Sequence, residues 1–146
     1  LLLFVHIVLG QLPPIGNWRE HLSYHQALRV VSAGNTVYCS TPYSFFSVDI
    51  SDNSIERFNK INGLHEVGIQ TIYWDNDTQK LIVAYTNSNI DIISGGKIFN
   101  IDAIKQKETV GDKTVYSVFG RAGNAYLSTG IGIIVIDEIR LVIYFD

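Results

Sequence analysis

Few residues in this chain are of types that could do chemistry, and their spacing speaks against each reaction in turn. Gly130-Ile131-Gly132 opens like a dinucleotide-binding fingerprint. Val135 stands where the third glycine belongs, however, and no helical pattern follows, so the segment reads as a hairpin turn. Asp75-Asn76-Asp77 has the alternating oxygens of a calcium loop without its sixth-position glycine or terminal glutamate, and reads as a plain turn. His21, His25 and His65 have no cysteine or carboxylate at metal-ligand spacing, so they are expected to face solvent or to be hydrogen-bonded. The sequence carries no G-x-S-x-G elbow and no Walker loop. Cys39 lies in an apolar run and is the single cysteine, which suits a buried thiol better than a nucleophile. Asn76-Asp77-Thr78 fits a glycosylation sequon, which matters only in a eukaryotic secretory host. Tyr24, Tyr43 and Phe45 fall on loops where they would suit stacking on a sugar or peptide, and core packing accounts for most of them equally well. These residues point to no catalytic group, no metal and no cofactor, and the chain reads as non-enzymatic.

The elements that must carry these residues announce themselves by repetition. Tyr38, Ile82 and Tyr126 recur at a spacing of 44 residues. Around them Val37–Ser40 falls over Leu81–Ala84 and Ala125–Ser128. Phe46-Ser47-Val48 falls over Ile90-Asp91-Ile92 and Ile134-Val135-Ile136. A period of roughly 40 to 50 residues is that of a four-stranded propeller blade. Strands are predicted at 27–32, 35–41, 44–50 and 54–58, then 69–74, 80–86, 89–94 and 97–101, then 114–119, 124–129, 132–137 and 139–144. The turns between them carry the Gly, Asn or Asp that tight hairpins require, including Gly34-Asn35, Gly95-Gly96 and Gly123-Asn124. Leu81-Ile82-Val83-Ala84 is apolar at every position, so both of its faces must be covered. The fold expected is all-β: about three four-stranded antiparallel blades of a β-propeller over residues 27–146, the third incomplete. Two connections between copies are longer than hairpins, 59–68 and 102–113, and the second suits a helical turn. Rigid scaffolds carry function on such loops, which makes them the expected contact surface, while Lys105 and Lys107 read more readily as solvating the loop than as partner contacts.

The 146 residues carry a net charge of −3, and the basic residues are scattered, which speaks against a nucleic-acid surface. Leu1–Leu9 is too short to span a membrane and suits the apolar core of a secretory signal, with Val8 and Gly10 at the cleavage positions. Residues 1–10 are therefore expected to be a signal-peptide remnant, and 11–26 a segment that helps close a propeller ring. The chain contains no Met, and its third copy stops early, so a fragment cut at both ends is expected.

Phe58, Gly63, Leu64 and Val67, followed by the Leu81–Val83 strand and the Asp75–Asp77 turn, resemble the two-component-regulator type of propeller repeat. Ile82 replaces that repeat's usual Trp. Over Ile15–Asp137 the runs GNWREHLSY, VYCST, SDNSIERFNKINGL, VAYTNSNIDII and AYLSTGIGIIVID are similar to the N-terminal propeller of PorZ-like proteins of Bacteroidetes. That resemblance implies an exported component of the type IX secretion system at the outer membrane. Its partners would be other secretion-system proteins and the anionic lipopolysaccharide that is attached to secreted cargo. It marks no ligand-binding residue in this stretch, and after Asp137 the likeness fades, leaving Glu138 alone as the turn. The rival expectation is the periplasmic carbohydrate-sensing propeller of a hybrid two-component system.

Overall fold

The computed structural model describes residues 23–145. The signal-like 1–10, most of the 11–26 segment and His21 lie outside the described residues. The first sheet is built of β1 (Arg29–Ala33), β2 (Thr36–Ser40), β3 (Phe45–Asp49) and β4 (Ile55–Phe58). The second holds β5 (Ile69–Asp75), β6 (Lys80–Tyr85), β7 (Ile90–Ser94) and β8 (Lys97–Ile101). A single-turn helix, α1 (Ala103–Gln106), leads to β9 (Val115–Arg121), β10 (Asn124–Thr129), β11 (Gly132–Asp137) and β12 (Val142–Phe145). Each sheet is a four-stranded antiparallel meander in chain order, a propeller blade.

The middle blade explains why the blades stack. Leu81, Ile82, Val83, Ala84 and Tyr85 expose no surface at all. Successive side chains of a strand point to opposite faces. Leu81, Val83 and Tyr85 accordingly join Phe45, Ile72 and Ile93 in a core facing blade one. Ile82 and Ala84 join Ile92, Leu127 and Ile134 in a core facing blade three. Burying each such aliphatic side chain contributes about 1.5–3 kcal/mol. The 102–113 connection does hold its helical turn, which drives Ile104 fully into the second core.

The structure corrects the sequence reading in four places. The third blade has all four of its strands, and its last begins at Val142 rather than 139. The turn before it spans 138–141, not Glu138 alone, and it repeats the turn of blade one atom for atom in the main chain. Ile50 N donates to Asn35 O and Glu138 N to Gly123 O, each at 2.9 Å, while Asn53 and Leu141 both take left-handed φ, 59° and 57°. Asp49 and Asp137 hold the two turns alike, Asp49 Oδ1 accepting from Ser51 N and Asp137 Oδ1 from Ile139 N and Arg140 N, while the residues within the turns differ in type. The first hairpin of blade three turns at Ala122-Gly123, with Asn124 already in strand.

The 44-residue superposition also breaks inside blade two. Tyr38 pairs with Ser47 and Tyr126 with Val135, but Ile82 pairs with Ile92, one residue further along. The longer loop after Tyr85, which passes through Ser88 at φ 66°, absorbs the extra residue. Asp91 therefore occupies the place of Phe46 and Ile134, facing blade one, instead of the place of Ser47 and Val135. The first hairpin of blade two is wider as well, since Asp75 pairs with Lys80 across Asn76–Gln79, where blades one and three use two-residue turns.

Ile82 tests the two-sided burial of β6. Ile82→Ala in the full-length protein should cost about 2–5 kcal/mol in denaturant-unfolding free energy, the loss typical of a fully packed aliphatic side chain. A loss below about 1 kcal/mol would show that β6 is not sandwiched between blades.

Candidate functional site

The repeat-motif residues converge on the loop 59–68, between blades one and two. Phe58 ends β4 against Phe45, ring centroids 4.8 Å apart, and Tyr38. Leu64 is buried in the blade one–two core. Gly63 has φ +124°, a backbone conformation that favours glycine, and an added Cβ would stand 3.0 Å from Ile98 Cδ1, a side-chain tip that would have to give way. Val67 is half exposed and turns away from that core. Asn59 and Asn62 close the loop's first turn: Asn59 Oδ1 accepts from Ile61 N and Asn62 N, and Asn62 Oδ1 accepts from Asn59 N.

The loop's second half is pinned by a buried carboxylate that sequence reasoning passed over. Asp91 is fully buried and accepts from Tyr85 Oη at 2.5 Å, Asn100 Nδ2 at 2.8 Å, His65 N at 3.0 Å and His65 Nδ1 at 2.9 Å. A buried charge is tolerated only when its oxygens are filled in this way. Burial first, then the neighbouring Asp91, pushes the Tyr85 phenol up, so it stays a donor. His65 is thus hydrogen-bonded, as expected of it, while His25 is exposed. The one-residue shift of β7 hid this arrangement, because strict 44-residue spacing gives Asp91 the wrong face.

The two long connections meet. Lys105 Nζ lies 2.6 Å from Glu66 Oε1, and Lys60 Nζ 3.9 Å from Glu66 Oε2. The hydrogen bond from Lys105 holds the Glu66 carboxyl below its ordinary range. Lys113 Nζ donates to the carbonyls of Lys105 and Lys107, and Lys107 Nζ sits 4.0 Å over the Phe145 ring. Lys105 and Lys107 are therefore engaged within the chain, and reversing their charge would disturb the loop clamp as well as any partner contact. Of the loop aromatics, Tyr43 is exposed, whereas Phe45 is fully buried and offers no stacking surface. Its neighbour Ser44 and the preceding Thr41 tie the loop to Ser23 O, and so draw Phe45 inward at the start of β3. Tyr24 packs edge-on against Phe46 with the Arg57 guanidinium 5.1 Å over its ring.

A second buried polar cluster lies at the seam of blades two and three. Glu138 and Asp75 are both buried, and Glu138 Oε1 and Asp75 Oδ2 have no hydrogen-bond partner. Thr78, on the wide turn of blade two, donates to Glu138 Oε2, and Lys80 Nζ donates to the Glu138 carbonyl. Burial, together with the facing Asp75, pushes the Glu138 carboxyl up to about 7. Gly120 makes room for this cluster, since a methyl there would collide with the Asp75 carboxylate and the Tyr73 ring. Among the described residues, no three of His, Cys, Asp and Glu converge to hold a metal. No helix there is long and apolar enough to cross a membrane.

Residues 37–143 match the family model described as the PorZ N-terminal β-propeller domain of the type IX secretion system. In structure the chain is similar to PorZ of Porphyromonas gingivalis, described as an essential bacterial surface component of that system. The TM-score is 0.81 and the identity 25%, over 85% of this chain and 17% of that one. It is also similar to the extracellular domain of a putative one-component system of B. thetaiotaomicron, with TM-score 0.69 and 14% identity over 87% and 18% of the two chains. The extracellular domain of a putative hybrid two-component system of the same organism gives TM-score 0.63 and 16% identity over 81% and 16%. The latter two likenesses are of fold alone. The chain spans less than a fifth of the length of each of these proteins. No curated protein sequence matches it.

Two measurements on the full-length protein check the buried clusters. Asp91→Ala leaves the Tyr85 hydroxyl and the Asn100 amide without their acceptor and should cost about 3 kcal/mol of unfolding free energy, against about 1 for His65→Ala. The second concerns pH. The folded chain holds the Glu138 proton more tightly than the unfolded chain, whose carboxyl titrates near 4.5. This group's stabilisation is thus complete below about pH 4.5 and is lost as pH rises through about 7. Compared with the wild type, Glu138→Gln should gain thermal stability at pH 7.5 relative to pH 4.5; parallel melting-temperature profiles would refute the assignment.

Proposed function

The chain belongs to the PorZ N-terminal β-propeller domain family of the type IX secretion system, and we propose that it serves as a non-enzymatic part of that machinery outside the inner membrane. It would act by holding other secretion-system proteins at the outer membrane and the anionic lipopolysaccharide destined for cargo. The observation that carries this reading is the family match across 37–143, in step with 25% identity to a surface component over the same fold. The architecture supports it in kind: a stiff stack of blades bears two long inter-blade connections, clamped to each other through Glu66 and Lys105, at one place on its surface. Fixed loops on a rigid frame suit recognition without chemistry.

The test is deletion of the gene followed by complementation. Cargo should still cross the inner membrane, but its surface attachment should fail, with cargo released or retained unprocessed. Complementation by the intact gene should restore attachment. Normal cargo attachment in the deletion strain, joined to loss of a transcriptional response to a sugar, would instead establish the sensor role of the fold's other relatives.

A further inference from the structure

Blades one and two do not close on each other along their whole width. Around Tyr38, Phe45 and Phe58 the facing side chains are apolar, and Tyr38 stacks with Phe45 at 5.7 Å and with Trp74 of blade two at 6.2 Å. Towards the 34–35 turn, the same face of blade one turns polar. Ser47 and Glu56 lie in line with Tyr38 across the sheet, and Asp49 pairs with Thr36 in the next line on that face. Blade two sends only Ile93 and Ile98 to meet them. The result is a wedge with two adjoining cavities of about 280 and 180 Å³, both bounded by Tyr38 and Glu56. Asn62 of the motif loop stands at the wall of the larger one.

We infer that this wedge is a receptor for one basic side chain, lysine or arginine, of a partner protein. Charge complementarity selects the occupant. Two carboxylates, Glu56 and Asp49, line the wedge, and among the described lining residues none is basic. Strand alternation sends Arg57 to the opposite face, where it lies over Tyr24, and it sends Lys97 away from Ile98. Among the described residues no cation pairs with Glu56, which leaves its charge for an incoming partner. The aliphatic stem of the guest would lie along Phe58 and Ile98, while the carboxylates take its charged head. A neutral sugar is the poorer fit, because it would leave the charges of the lining carboxylates unanswered. This inference stands apart from the secretion reading, since a receptor for a basic side chain in the wedge does not depend on which machinery the partner serves.

Trp74 lies against Tyr38 and supplies the readout. The full-length protein, labelled with ¹⁵N, is titrated with N-acetyl-arginine amide, N-acetyl-lysine amide and the uncharged N-acetyl-citrulline amide, and the Trp74 indole N–H peak, assigned with Trp74→Phe, is followed. The cationic amides should shift that peak saturably and the citrulline amide should not. Glu56→Gln, a change at an exposed side chain, should weaken binding at least fivefold, and raising the salt should weaken it further. Equal binding of the citrulline amide, unchanged affinity in Glu56→Gln, no saturable shift with either cationic amide, or tighter binding of a neutral hexose at the same peak would each overturn the inference.

Discussion

The structure depends on one strand having no solvent face. Leu81 to Tyr85 must be covered on both sides, and no single sheet can do that for itself. The middle blade therefore exists as a folded object only between its neighbours. Most of the fold's other features follow from this demand: the alternation of Leu81, Val83 and Tyr85 towards one neighbour and Ile82 and Ala84 towards the other, and the plugging of the second core by Ile104. A blade with one wet face would tolerate a charge on either side. Here a charge at a seam must be answered by named partners.

The buried carboxylates answer that demand in two opposite ways. Asp91 is filled by four donors from three separate segments, so its charge fastens the loop 59–68 to β7. Asp75 and Glu138 face each other with oxygens left over, and the second of them relieves the conflict by holding its proton. The first arrangement exchanges desolvation for order in a surface loop. The second keeps two blades together under a condition set by the solvent.

The period, the strand count and the two-sided burial of β6 were legible in the sequence because each is written in side-chain polarity. The shifts of register were not. A one-residue offset in β7 leaves every residue type apparently in place, since Ile90, Asp91 and Ile92 look acceptable over Phe46, Ser47 and Val48. Only the pairing shows that Asp91 faces inward. The turn at 138–141 was missed because its likeness to 50–53 resides in main-chain hydrogen bonds and in the aspartate that precedes each turn, Asp49 and Asp137, while the residues within the turns differ in type. Phe45 stayed open between loop and core because a polar turn precedes it, and only the bonds from Thr41 and Ser44 back to Ser23 show that turn tied inward. The meeting of Glu66 with Lys105 joins residues of two connections, and nothing in their local pattern foretells it.

The wide turn of blade two has a further effect on how the chain assembles. Repeated units of like sequence invite mispairing, in which one copy docks where another belongs. Asn76–Gln79 is two residues broader than its counterparts, and it carries the Thr78 that reaches Glu138. Glu138 in turn lies where blade one has Ile50, which has no such bond to offer. The protrusion and its receiving residue behave as a key and its ward: they fix which copy follows which, so that three similar units can be laid down in only one order.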